Sequence, residues 1–185
     1  MKKRILIFTF LLIAIIQISV PVYMIAKHET ALRNGRQFKF RTAPVDPYDA
    51  FRGRYVSIRI ENDSISVPED TEFFRNQKVY VFIEEDSEGF AEMTGISSQP
   101  PKTGDYLATK VGYIDAQQND DRKVYVRIPF DRYYMEEEAA PAAEKAYSDN
   151  PGDAYLTVRI LSGFAVAEQL YISGQPIEEY LKKEQ

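Results

Sequence analysis

The feature that most constrains this chain is an uncharged run near its N-terminus, from Ile5 to Ala26, which reads ILIFTFLLIAIIQISVPVYMIA. As a helix rising ~1.5 Å per residue it spans roughly 33 Å, about the hydrocarbon thickness of a bilayer. It is apolar on every side, unlike the amphipathic helix of a soluble core. Gln17 and Ser19 are the polar exceptions, Pro21 falls near the end where a kink is tolerated, and Tyr23 suits an interfacial anchor. Lys2, Lys3 and Arg4 precede the run, so the positive-inside rule puts the N-terminus in the cytoplasm and the rest of the chain outside. A cleaved signal peptide shares the basic start. The run is longer than a usual signal core, however, and Val22-Tyr23-Met24-Ile25-Ala26 offers no small-x-small cleavage site. The expectation is an uncleaved, single-pass anchor that meets lipid through Ile5 to Ala26.

The chain then divides into a cytoplasmic tip and anchor (residues 1–27), a short polar stalk (28–37) and one extracytoplasmic domain (38–185), large enough to bury a core of its own. Setting aside Lys2, Lys3, Arg4 and Lys27 leaves 19 bases against 28 acids, a domain near −9. Nucleic-acid binding depends on cationic contacts to phosphate, so it is not expected of so acidic a domain. The absence of cysteine excludes disulfides, thiolate metal sites, a cysteine nucleophile and an acylated cysteine.

Period-two alternation dominates the domain. Residues 38–42 alternate, Gly35 stands before them as a helix breaker, and residues 44–49 read as a turn. From Arg54 to Ile60, Val56, Ile58 and Ile60 share one face of a single predicted strand and Tyr55, Ser57 and Arg59 the other. A short helix is expected over residues 71–76. Two hairpins follow: residues 79–83 with 90–96 across an acidic turn, and 106–114 with 123–128 across a polar one. The Glu- and Ala-rich stretch after Asp131 predicts a helix over 142–147, with Pro141 at its start. Residues 155–161 and 165–172 form a last hairpin, and a helix opens after Gln175-Pro176 with acids first and lysines last. Gly89-Phe90-Ala91 and Gly163-Phe164-Ala165 repeat one turn pattern, either by duplication or by convergence. The predicted fold is α+β and mainly antiparallel β, in sandwich-like or barrel-like hairpins with short helices, behind one transmembrane helix.

The stretch from Val45 to Ile60, VDPYDAFRGRYVSIRI, resembles the signature of the GDYXXLXY family of bacterial membrane-anchored proteins. Gly53, Tyr55 and the apolar Ile58 match. Arg54 stands where the family name has Asp, Ile58 where it has Leu, and Ile60 where it has the final Tyr. Ile128 to Glu137, with its aromatic pair Tyr133-Tyr134 followed by acids, is similar to a second family feature, and Leu170 to Gly174 to a third. The resemblance implies a shared fold and an anchored location in the bacterial inner membrane. It supplies no catalytic residue.

No constellation in the sequence points to catalysis, to a metal or to a cofactor, and the chain is not expected to be an enzyme. His28 is the only histidine, so neither a histidine triad nor a multi-histidine metal site can be built. Glu136-Glu137-Glu138 are adjacent and do not share a face on a regular element. Glu84-Glu85-Asp86 and Asn119-Asp120-Asp121 lack the spacing of a calcium loop. Ser57 has no local lysine motif beside it. The set that stands out is Arg52, Arg54, Tyr55, Arg59, Arg132, Tyr133 and Tyr134. Arginine grips carboxylate or phosphate in a bidentate way, and tyrosine adds a stacking face and a hydroxyl. If the two motifs adjoin in space, these residues line one binding surface. The bland alternative is that the arginines balance nearby acids and the tyrosines edge the core. The expected role is an anchored extracytoplasmic binding module that works with another envelope protein. A carboxylate-dependent envelope hydrolase and a purely structural domain are the alternatives.

Overall fold

The computed structural model describes residues 2–43, 55–68, 71–116, 121–150 and 152–184. The N-terminal helix α1 (Lys2–Asn34) carries the whole apolar run and is long and apolar enough to cross a membrane. Its large apolar side chains from Ile5 to Ile25 are exposed. The helix stops where the sequence places its breaker: the Gly35 N–H donates to the Ala31 carbonyl at 2.8 Å, and a Cβ on Gly35 would strike that same carbonyl.

Two five-stranded sheets make up most of the domain. The first is built on β1 (Arg36–Ala43), which lies between β10 (Ala154–Leu161) and the two-residue β3 (Arg59–Ile60). Beyond β10 come β11 (Phe164–Ile172) and β12 (Gln175–Pro176), all antiparallel. The second sheet has the order β4-β8-β7-β5-β6, from β4 (Ser64–Pro68), β5 (Lys78–Glu85), β6 (Ala91–Ser97), β7 (Tyr106–Ala116) and β8 (Asp121–Val126). Its edges β4 and β6 come back into contact, so the sheet curls into a near-barrel. A separate two-stranded ladder pairs β2 (Tyr55–Ser57) with β9 (Arg132–Tyr134) and touches β11. Helix α2 (Ala140–Asp149) carries Pro141 in its first turn, packs on β2, and buries Ala143, Ala146 and Tyr147 on one face. Helix α3 (Ile177–Glu184) closes the chain against β11 and α2.

One core joins these layers. Phe38 and Phe40 of β1, Leu156 and Val158 of β10, Val79 and Val81 of β5 and Leu107 of β7 are all but inaccessible to solvent and belong to one cluster. Alternating residues of β1, β4 and β5 face it, as the period-two pattern requires.

Three local expectations are corrected. Of the strand expected over 54–60, the described residues 55–60 do not form one strand. The alternation holds, with Val56, Ile58 and Ile60 buried, but the chain changes partner at Ile58, from β9 to β1. No helix covers residues 71–76. The segment is a turn in which Thr71 N–H bonds the Pro68 carbonyl, Gln77 caps the Phe74 N–H with its side chain, and Asn76 takes φ +67°. Strands β4 and β9 form where the sequence pattern predicts none. The turn at 44–49, Arg52, Gly53 and Arg54 lie outside the described residues.

The arginines of β1 clamp the near-barrel to the first sheet. Arg41 donates to Asp86 and to Glu88 at 2.6 Å each, and its guanidinium lies 4.1 Å from the centre of the Phe90 ring. Arg36 reaches Asp105 at 2.7 Å and Glu85 at 3.1 Å. Asp86 also accepts the N–H groups of Glu88 and Phe90. The Phe90 N–H first, then the Arg41 guanidinium, hold this carboxyl below the usual carboxylate range. A depressed folded-state pKa contributes stability that is present above the unfolded value, about 3.9, and is lost as pH falls through the folded one. Thermal unfolding followed from pH 7 to pH 2 is therefore expected to show a decline that begins below about pH 4. Asp86→Asn should lower Tm at pH 7 and flatten that decline.

Candidate functional site

The two stretches singled out by their arginines and tyrosines meet. Tyr55 lies opposite Tyr134, Val56 opposite Tyr133 and Ser57 opposite Arg132. The ladder is extended one step by the Ile58 N–H, which donates to the Asp131 carbonyl at 2.9 Å. Strand alternation then sorts the residues into two faces. Tyr55, Ser57, Arg132 and Tyr134 share the outer face, and Val56 and Tyr133 the inner one.

The inner face is structural. Val56 is fully buried and Tyr133 only 8% exposed. The Tyr133 hydroxyl donates to Glu178 Oε1 of α3 at 2.7 Å, and Gln169 Nε2 of β11 donates to Glu178 Oε2 at 2.7 Å. Burial first, and then the facing carboxylate, push the phenol well above its ordinary value, so it stays a neutral donor. Tyr133 thus ties β9 to α3 and β11. Tyr133→Phe is expected to cost about 1–2 kcal/mol, because the Glu178 carboxylate loses its hydroxyl partner in a half-buried setting. Urea unfolding of the detergent-solubilised chain reads this out.

The outer face is solvent-facing and aromatic. Tyr55 and Tyr134 meet edge to face with ring centres 5.7 Å apart, and Tyr134 is 66% exposed. The Arg132 guanidinium lies 4.8 Å from the centre of the Tyr55 ring. The Tyr134 hydroxyl first, then Tyr55 and Asp131, hold the guanidinium above its ordinary value, and it is a fixed positive charge. Its ion pair with Asp131, at 3.9 Å and exposed on both sides, is too long and too wet to occupy it.

Beside this face, where the chain turns from β2 into β3, lies a cleft of about 350 Å³. Arg59, Asp63, Arg127 and Asp131 line it together with Ile58, Ile60, Val126 and Ile128. Arg59 is exposed and sits opposite Ala43. Burial raises the Asp63 carboxyl above its usual range, against the pull of its own backbone N–H and of Arg59. Arg127 Nη2 is engaged by Asn76 Oδ1 at 2.6 Å. Among the described residues no group of three or more His, Asp or Glu side chains could hold a metal ion.

The fold therefore brings together Tyr55, Arg132 and Tyr134 on one outer face, places Arg59 in the adjoining cleft and turns Tyr133 into the core. Glu178 and Gln169, which fix Tyr133, carried no sequence signal because their link to it exists only in three dimensions. Asp63 had a faint one, an acid in the turn before an alternating Ser-Ile-Ser-Val run.

No curated protein and no solved structure matches the chain. The pattern of the GDYXXLXY protein family, named for a sequence motif and not for an activity, matches residues 17–170. That span takes in the second half of α1, both five-stranded sheets but for the last residues of β11 and β12, and the whole β2–β9 ladder. With the motif strand β2 and the aromatic pair of β9 side by side within it, this chain belongs to the GDYXXLXY family.

Proposed function

We propose that the protein is a bacterial inner-membrane module, anchored by α1 with its N-terminus in the cytoplasm, that binds another envelope protein through the Tyr55–Arg132–Tyr134 face. The observation that carries this reading is the β2–β9 ladder. Two segments far apart in sequence build a strip whose inner face serves the core and whose outer face does nothing for it. Exposed tyrosine and arginine are the side chains that most often anchor protein interfaces, and a cation on an aromatic ring suits an acidic or carboxylate-bearing contact. The anchored topology is supported by the basic residues ahead of the apolar run. It is also supported by the length of that run and by the lack of a small-x-small cleavage site after it.

Copurification from gently solubilised membranes tests the reading. Wild-type protein should bring down a partner. Tyr134→Ala and Arg132→Ala should each weaken that recovery by about tenfold or more, the effect of losing an interface anchor, while shifting stability by no more than about 0.5 kcal/mol. Recovery of the chain alone, or equal recovery by the variants, counts against it. Protease added to intact spheroplasts should digest the domain. Its survival until lysis would reverse the topology.

A second reading, a carboxylate-dependent hydrolase, is favoured by one observation: Asp63, with a raised pKa, shares its cleft with Asp131. It predicts that Asp63→Asn and Asp131→Asn each abolish the cellular phenotype of the gene while Tyr134→Ala preserves it.

A further inference from the structure

The apolar helix continues past its uncharged stretch. α1 runs on to Asn34, and its last turns lie along β10 and β11. Lys27 Nζ stands 3.9 Å from the centre of the Phe164 ring, His28 meets that ring edge-on at 5.1 Å, and Ala31 is fully buried. Arg159 Nη1 holds the Gly35 carbonyl at 3.2 Å just beyond the helix end. No flexible tether separates helix from domain. The β10–β11 turn is fixed at the height of Lys27, the first charge after the apolar run, which is the level of lipid headgroups.

Between helix and turn is a cleft of about 440 Å³. Tyr23 and Ala26 wall its membrane side. Lys27, Thr30, Ser162 and Phe164 wall the side toward the domain. With Tyr23 and Ala26 of the apolar helix on one side, the cleft opens toward the bilayer interface in the anchored reading. The Lys27 ammonium forms no ion pair with a carboxylate among the described residues. The opening is thus apolar below and cationic with a hydroxyl above, the pattern of a phospholipid turned on its side.

We infer that this cleft is a phospholipid site. The phosphodiester lies against the Lys27 ammonium and the Ser162 hydroxyl, and the start of an acyl chain lies along Tyr23 and Ala26. The inference rests on the anchored reading given above. It accounts for how a domain with nine excess acids sits close to a membrane whose charge repels it: the contact is made at a basic, aromatic corner beside the apolar helix.

Native mass spectrometry of the full chain, extracted in mild detergent, tests it. The chain is titrated with phosphatidylglycerol, with diacylglycerol of the same acyl chains, and with inorganic phosphate. A one-to-one phosphatidylglycerol adduct is expected, at least about tenfold stronger than either other adduct, as befits a charge-assisted contact to a seated lipid. Lys27→Gln should weaken it about tenfold without changing Tm in detergent alone, and Ser162→Ala should weaken it less. Equal retention of diacylglycerol, equal binding of inorganic phosphate, an undiminished adduct in Lys27→Gln, or a lipid-free dimer with a second chain in the cleft would each overturn the site. The intact mass in the same spectrum separates the two readings. A chain that has lost residues 1–26 overturns the anchor and the site together, whereas a full-mass chain without lipid selectivity overturns the site alone.

Discussion

Phe40→Ala is expected to destabilise the domain by about 3–5 kcal/mol, the cost of deleting a large aromatic side chain from a packed interior. Phe40 lies on β1 opposite Leu156, is 1% exposed, and packs against Phe130 with ring centres 5.0 Å apart. That contact matters because Phe130 lies two residues before the start of β9. The cavity would open between β1 of the first sheet and the segment that delivers Arg132, Tyr133 and Tyr134 to the surface. β1 and β10 are each paired on both sides, which resists their collapse into the gap. Phe74→Ala is the control, since Phe74 is 64% exposed and should change stability by no more than about 0.5 kcal/mol. Both are read by urea unfolding in mild detergent with tyrosine emission as the signal, which is unobscured because the chain has no tryptophan. Equal effects of the two substitutions would mean that the first sheet does not carry the core.

Gly163→Ala should cost about 2–4 kcal/mol and Gly89→Ala about 1 kcal/mol, although the two glycines occupy the same place in look-alike turns. Both have left-handed backbones, at φ +81° and +79°. Any L side chain pays for that conformation, and at Gly89 that is the whole penalty, because a Cβ there meets nothing. At Gly163 the added carbon would fall 2.5 Å from the Tyr106 ring and 3.0 Å from the Ala108 Cβ. The Gly163 carbonyl also accepts the Ala108 N–H at 2.9 Å, in a parallel bridge that joins the β10–β11 turn to β7. The turn cannot move aside without breaking the seam between the two sheets. The same denaturation experiment ranks the pair. Comparable losses at both sites would show that the seam yields.

These two cases also show where the sequence stops being informative. The Gly-Phe-Ala turns are legible as turns. That one is solvated and the other wedged against β7 depends on how the sheets dock, which no local pattern encodes. The alternation of Val56, Ile58 and Ile60 correctly names the buried face, because burial is a property of each residue's side of the ribbon. The break at Ile58 is not legible, since both of its partners, β9 and β1, lie outside the segment. β4 has only Ile65 and Val67 as apolar residues within a serine-rich stretch, and β9 is three residues long in acidic surroundings. Each is a strand because a neighbour supplies its hydrogen bonds. The helix expected over residues 71–76 fails for a related reason: helix propensity is weak beside the Gln77 cap and the left-handed Asn76 that feed the chain into β5. For the candidate site, the residue types were readable and their sorting was not. Tyr133 and Tyr134 are adjacent and chemically alike, and only the strand partner decides that one bonds Glu178 inside while the other faces solvent.

The outer face of the β2–β9 ladder as a partner surface is tested most directly by site-specific photo-cross-linking in intact cells. A photoreactive residue replaces Tyr134 in the full-length chain, or, as the control, the exposed Glu92 on β6. A discrete adduct to one envelope protein from position 134, absent from position 92, is the expected result. No adduct from position 134, or the same adducts from both positions, would contradict it.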